Sequence, residues 1–169
     1  MPLATPAWAR ALGAAVTDPR ELLALLELPD MHAWSGGFGL RVPRSYVARM
    51  RTGDPCDPLF LQVWPAVAEA LEVAGFGPDP VGDCRFRKAP GVLQKYAGRA
   101  LLSVTGACAV HCRYCFRRHF PYTAENPLGQ AWGGTLQVLQ RSPDLREVIL
   151  SGGDPLMLPD ERLATLVQD

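Results

Sequence analysis

The 169-residue sequence lacks an excess of charge of either sign: 17 basic residues face 17 acidic ones. Proteins that hold nucleic acid or lie on an anionic membrane carry a surplus of basic groups, so the molecule as a whole makes no case for either partner. Long apolar runs are missing as well. A membrane-spanning helix needs about 18 or more consecutive apolar residues, and no such stretch occurs. The opening MPLATPAWARALG has no basic segment leading into an apolar block, which argues against an export signal and makes the cytoplasm the expected location. In that reducing setting the five cysteines stay thiols, which favours metal ligation or plain burial over a disulfide framework. Lysine is nearly absent, with Lys88 and Lys95 the only two. Internal repeats and low-complexity tails are absent too. The length sets a further limit, because a complete α/β barrel takes about 250 residues. Any barrel in this sequence is partial.

Apolar spacing predicts a helix over 7–16, carried by Trp8, Leu12 and Val16. A second helix starts at Asp18-Pro19-Arg20-Glu21, where an N-cap acid, a first-position proline and a third-position acid form a capping-box pattern ahead of Leu22, Leu23, Leu25 and Leu26. The two make a helical hairpin. Residues 32–39 read as a glycine-rich loop, 44–50 as a short helix, and 59–74 as a helix that Pro65 kinks or restarts. Residues 75–91 are rich in proline and glycine and read as a connecting segment, so the expected division is a mainly helical 1–90 and a separate 91–169. Apolar strands follow at 99–105 and 147–151, with helices at 131–141 and from about 159. That order implies parallel strands joined by right-handed crossovers, as in an α/β barrel or a doubly wound sheet. Such folds collect their catalytic groups just after the C-termini of the strands.

Two segments occupy those positions. Cys108, Cys112 and Cys115 form a CxxxCxxC set after the first strand. Three soft thiolates within eight residues can hold three irons of a [4Fe–4S] cube and leave the fourth iron open to a ligand. The alternative is a structural zinc site with His111 or His119 as fourth ligand, making the chain a zinc-binding interaction module, although zinc sites more often present paired CxxC units. After the second strand comes Ser151-Gly152-Gly153-Asp154-Pro155. Glycines there let a backbone approach a ligand closely, and Asp154 can meet an ammonium group. Cys56 and Cys84 stand alone and read as ordinary thiols.

The cysteine spacing, with Tyr114 directly before the third cysteine, resembles the radical S-adenosylmethionine superfamily. KYAGRALL at 95–102, CAVHCRYCFRRHFPY at 108–122 and SGGDPL at 151–156 resemble its lysine 2,3-aminomutase branch. They are most like the member that supplies (R)-β-lysine for elongation factor P, and VTDPRELLALLEL and LRVPRSYVARM extend the likeness toward the start. The resemblance implies an N-terminal helical region followed by the first two βα units of a partial radical-SAM α/β barrel. It implies a [4Fe–4S] cluster on the three cysteines and S-adenosyl-L-methionine on the open iron. Tyr114 then lies against the adenine, and Ser151, Gly152, Gly153 and Asp154 meet the methionine end.

The same resemblance implies pyridoxal 5'-phosphate near Tyr96 and Arg99, Arg117 on the substrate carboxylate, and L-lysine as the substrate whose amino group migrates from C2 to C3. A reductant such as flavodoxin or ferredoxin supplies the electron. An aminomutase of free lysine metabolism, or one for another amino acid, is the nearest rival. Two departures qualify the likeness. Gln94 stands where a histidine is expected, and the late lysine that anchors pyridoxal phosphate is not among the 169 residues. The sequence thus reads as the front part of such an enzyme, not competent by itself to convert lysine.

Overall fold

The computed structural model describes residues 5–126 and 132–168, and the chain divides into two compact units. The first runs to Phe76 and takes in Ala109–Arg118; the second comprises Gly77–Cys108 and the chain from His119 onward. Among the described residues the fold is mixed α/β, with six helices and one four-stranded sheet. No helix is long and apolar enough to cross a membrane.

The first unit contains α1 (Ala7–Gly13), α2 (Pro19–Leu25), α3 (Arg44–Val47) and α4 (Pro58–Leu61). Helix α2 starts where its sequence says it should: Pro19 takes the first helical position and the Asp18 carboxylate accepts the Arg20 N–H at 2.9 Å. Glu21, expected to close a capping box, pairs with Arg44 instead. Leu22, Leu23 and Leu26 are buried, but Leu25 turns outward and is 45% exposed. Helix α1 stops at Gly13, short of the expected end, and the opening is not a bare helical hairpin. Val16, fully buried, is extended and exchanges backbone bonds of 2.8 and 2.9 Å with Val42. That pairing satisfies both polar groups of a buried β-branched residue.

The helix expected over 59–74 is the largest departure. Helix α4 ends at Leu61, and helical geometry returns only as a 3-10 turn at Val67–Ala70. Pro65 has no N–H to give a helix, and its ring excludes the carbonyl one turn earlier; its own carbonyl accepts the Trp34 N–H at 2.9 Å. What the segment supplies is core. Phe60 and Val63 are fully buried and Trp64 stacks on Phe60 at 5.2 Å, in a cluster with Leu22, Val42 and Val47. Asp57 fixes this segment, since Oδ1 accepts the N–H groups of Leu59 and Phe60 at 2.9 and 3.0 Å and Oδ2 accepts that of Arg51 at 3.3 Å.

The second unit is built on the sheet β1 (Arg87–Ala89), β2 (Val92–Tyr96), β3 (Arg99–Thr105) and β4 (Glu147–Gly152), in that spatial order. Strands β1, β2 and β3 are antiparallel, and β3 and β4 are parallel, as the strand–helix–strand order requires. The hairpin β1–β2 lies partly inside the segment read as a connector. Its Pro90-Gly91 pair is a hairpin turn, with Gly91 at φ 72°, and the strands it joins are short and partly charged. Helix α5 (Trp132–Gln140) crosses between β3 and β4, and a 3-10 turn at Pro155–Met157 leads into α6 (Asp160–Gln168). Ala131, where the crossover helix was expected to begin, lies outside the described residues. Ala100, Leu102 and Val104 recur every second residue along β3 and pack against Trp132, Leu139, Leu150 and Leu166. Among the described residues β4 pairs on one side only, and Val148 and Ile149 are about 40% exposed.

Replacing Phe60 with alanine is expected to cost about 3–5 kcal/mol in a denaturant titration. Asp57 gives a pH test. Hydrogen bonds from Phe60, then Arg51 and Leu59, outweigh burial and hold its carboxyl below the usual aspartate range. Its contribution is therefore complete above the ordinary value of about 3.9 and lost as pH falls through the lower folded value. Melting temperatures from pH 7 to 3 should fall less steeply in Asp57→Ala than in the parent; parallel curves would show that this cap does not govern the acid limb.

Candidate functional site

Strand β3 delivers the chain into the cysteine loop, and the C-terminal end of β4 lies beside it. In the second unit the parallel register sets Ser103 opposite Ser151 and Thr105 opposite Gly152. Beyond the strands the pairing continues: Gly153 N–H donates to Thr105 O at 2.7 Å and Asp154 N–H to Ala107 O at 2.8 Å. The Ser151–Asp154 turn is therefore stitched to Thr105 and Ala107, in the three residues before Cys108. A Cβ at Gly152, whose φ is 121°, would sit 2.2 Å from Thr105 O, and one at Gly153 would sit 2.2 Å from Ala107 O. The close approach that demands glycine is thus first an approach to the neighbouring strand. Tyr122 completes the arrangement, donating its hydroxyl to Gly152 O at 2.8 Å. Sequence reasoning passed over Tyr122; its only signal was a tyrosine closing the run that follows the cysteines.

Asp154 is placed but already engaged. One of its oxygens accepts the Leu156 N–H at 3.0 Å and caps the following 3-10 turn. A cleft of about 610 Å³ opens beside this end of β3, lined by Thr105, Gly106, Tyr122, Asn126 and Arg162 among others. Tyr96 and Arg99 stand elsewhere. They face each other across the β2–β3 turn, at the opposite end of β3 from Cys108, about 20 Å away at strand rise. Arg99 pairs with Glu147 at 2.9 Å and Tyr96 is 68% exposed. Neither lysine fits the anchoring of pyridoxal phosphate near the strand C-termini: Lys88 lies in β1, and Lys95, in β2, is held by Asp83 Oδ1 and Val81 O, both at 2.7 Å.

In the first unit the remaining loop residues are held closely. His111 donates its backbone N–H to Arg41 O at 3.0 Å, sets Nδ1 2.9 Å from Gly39 O and stacks on Phe38 at 4.9 Å. Its ring is thereby used in packing. Cys112 and Cys115 are half-buried and joined by a turn in which Cys115 N–H donates to Cys112 O at 3.1 Å. Between them Arg113 is buried, and Tyr114 is 69% exposed with its hydroxyl 3.3 Å from Gln62 Oε1. A hydrogen bond with Cys112, and then its charge, push the Tyr114 phenol above its ordinary pKa. Burial, with Cys112 second, does the same to Tyr46. Arg117 is buried with its guanidinium 4.8 Å from the Phe116 ring. Gln62, whose carbonyl accepts the Arg113 N–H at 2.8 Å, and Glu69, which pairs with Arg113 and Arg118, carried no signal in the sequence, because a glutamine and a glutamate on an irregular segment have no motif around them.

The five cysteines form no disulfide, and among the described residues no three His, Cys, Asp or Glu side chains are gathered as a preformed metal site. The chemistry of the donor set still suits an iron–sulfur cluster: thiols on one loop, two of them a turn apart, with cationic and N–H groups around them.

No family model matches the chain. It is 45% identical to the L-lysine 2,3-aminomutase of Escherichia coli (strain K12) over 166 residues, covering 95% of this chain and 48% of that protein. Against the enzyme of the same name from Haemophilus influenzae it is 42% identical over 167 residues, again 95% of this chain and 49% of the relative. Against that of Clostridium subterminale it is 30% identical over 123 residues, 72% of this chain and 30% of the relative. The chain spans about half the length of the first two. These homologues support the lysine aminomutase branch, whose reaction is an isomerisation.

The glycine turn can be tested by adding one methyl group. Gly153→Ala forces a backbone shift and should destabilise the second unit by about 1–3 kcal/mol. Gly133→Ala in α5, where an added Cβ meets nothing within 4 Å, should stabilise by up to about 1 kcal/mol. Equal effects of the two in chemical denaturation would remove the packing explanation of the turn.

Proposed function

We propose, taking as premise a likeness to lysine 2,3-aminomutases that runs along 95% of the chain, that this sequence carries the cluster-binding part of a radical S-adenosylmethionine aminomutase. The substrate is L-lysine, the product (R)-β-lysine, and the purpose the modification of elongation factor P. The N-terminal helical region leads into the start of the α/β barrel of that family. The observations that carry the reading are the CxxxCxxC set in the sequence and, in the second unit, a Gly-Gly-Asp turn bonded to the residues just before Cys108.

Cys108, Cys112 and Cys115 hold the cluster. When bound, a [4Fe–4S] cluster with an open iron supplies the electron that cleaves the S-adenosylmethionine sulfonium and so starts radical chemistry. The chain's own part is to position. Gly152 and Gly153 keep the turn against β3 and the residues that follow it, and Asp154 sets a carboxylate on that turn. Tyr114 offers an exposed ring for stacking on adenine, and Arg117 a planar fork for a substrate carboxylate. Pyridoxal phosphate belongs to the whole enzyme of this reading; the two lysines of the present sequence do not provide its anchor. The elongation-factor-P assignment rests on the motif resemblance, and an aminomutase of free lysine metabolism is its closest competitor.

Anaerobic reconstitution with iron and sulfide, followed by iron, sulfide and zinc analysis, tests the reading. The parent chain should bind iron and sulfide in a four-to-four ratio, as the cluster formula requires. Cys108→Ala, Cys112→Ala and Cys115→Ala should each lose most of it, whereas Cys56→Ala and Cys84→Ala should not. Stoichiometric zinc without sulfide, or full iron retention in the three variants, would sink the proposal.

A further inference from the structure

We infer that Glu69 is a positioning residue for the cysteine loop, fixing Cys112 and Cys115 through Arg113, which lies between them, and Arg118, which follows the second. This rests on the cluster reading above. The Glu69 carboxylate makes a two-pronged pair with Arg113, Oε1 to Nε at 2.8 Å and Oε2 to Nη2 at 2.6 Å, and Oε2 also meets Arg118 Nη2 at 2.7 Å. The fork is planar, so a bidentate pair sets the orientation of the guanidinium as well as its distance. Glu69 is itself anchored, because Oε1 accepts the Ala66 N–H at 3.2 Å.

From Arg113 the constraint passes to the backbone. Its Nη1 donates to Phe38 O and its main-chain N–H to Gln62 O, both at 2.8 Å. Cys112 O then accepts the Cys115 N–H at 3.1 Å, and Cys115 O accepts the Arg118 N–H at 3.2 Å. Cys115 thus lies inside a stretch whose two ends are tied to one carboxylate, and Cys112 adjoins that stretch as the neighbour of Arg113 and the acceptor of the Cys115 N–H. Burial raises the Glu69 pKa, but the Arg113 hydrogen bond, the Arg113 charge and that of Arg118 outweigh it, and the net shift is downward. Glu69 is therefore anionic at neutral pH. The 3-10 turn that carries it contributes no buried residue, so the apolar core of the first unit does not depend on it. Removing the charge leaves Arg113 buried and unpaired, a state relieved most simply by the loop lifting away.

The test compares the parent with Glu69→Gln, Glu69→Ala and Glu69→Asp, with circular dichroism confirming the fold. In the metal-free chain, alkylation read by mass spectrometry should speed up at Cys112 and Cys115 in the Gln and Ala variants but not at exposed Cys56, with Asp between. After reconstitution, the same variants should hold iron about tenfold or more weakly against a chelator and show an altered electron paramagnetic resonance signal of the reduced cluster. Unchanged alkylation at both cysteines would overturn the positioning role whether or not a cluster assembles. A parent chain that takes up no iron and sulfide would instead remove the cluster reading, which the alkylation arm does not use.

Discussion

A guanidinium buried between two prospective metal ligands is the constraint from which the loop geometry follows. Arg113 keeps only 6% of its side-chain surface in water, and such a charge is tolerable only where its donors are met. Glu69, Phe38 O and the stacking surface of Phe38 meet them. Those partners come from separate stretches of the first unit, so the residues around Cys112 and Cys115 take their conformation from remote sequence and not from any local propensity. Cysteines outside regular secondary structure take their frame from elsewhere, and here it consists of ion pairs and backbone bonds.

The second unit meets the same need by a different route. Hydrogen bonding between parallel strands does not stop at the last paired residues of β3 and β4 but continues into both loops, ending at Ala107 and Asp154. The entrance to the cysteine loop and the glycine turn are therefore parts of one ladder. Its far end, where Tyr96 and Arg99 lie, serves the hairpin: Gly98 turns the chain at φ 79° and its carbonyl accepts the N–H groups of Arg146 and Glu147. The exposed pair of Arg99 with Glu147 joins two adjacent strand starts, a modest contribution of the kind exposed ion pairs usually make.

What the sequence disclosed depended on how local the cause was. The start of α2, the strands at 99–105 and 147–151 and their parallel pairing follow from a cap, an apolar run and a crossover, each contained in a short window. The 59–74 segment misled because its apolar residues are spaced well enough for a helix, whereas their burial comes from packing around Phe60 and Trp64 after Pro65 has ended any helical continuation. The hairpin at 87–96 was hidden for the opposite reason, its strands being short and its turn indistinguishable from the prolines and glycines before it. Among site residues the cysteines and Gly152-Gly153 stand out by spacing. Glu69, Gln62 and Tyr122 do not, because each acts through contacts with residues distant in sequence that no local pattern announces.

The glycines of the turn have a consequence for descent. Because Thr105 O and Ala107 O leave no room for a Cβ at Gly152 and Gly153, purifying pressure on that pair comes from the strand partner and persists whatever occupies the adjoining space. A descendant without the cysteines would still need the double glycine for as long as it kept the two strands. A Gly-Gly pair at this place therefore reports first on the packing of two strands.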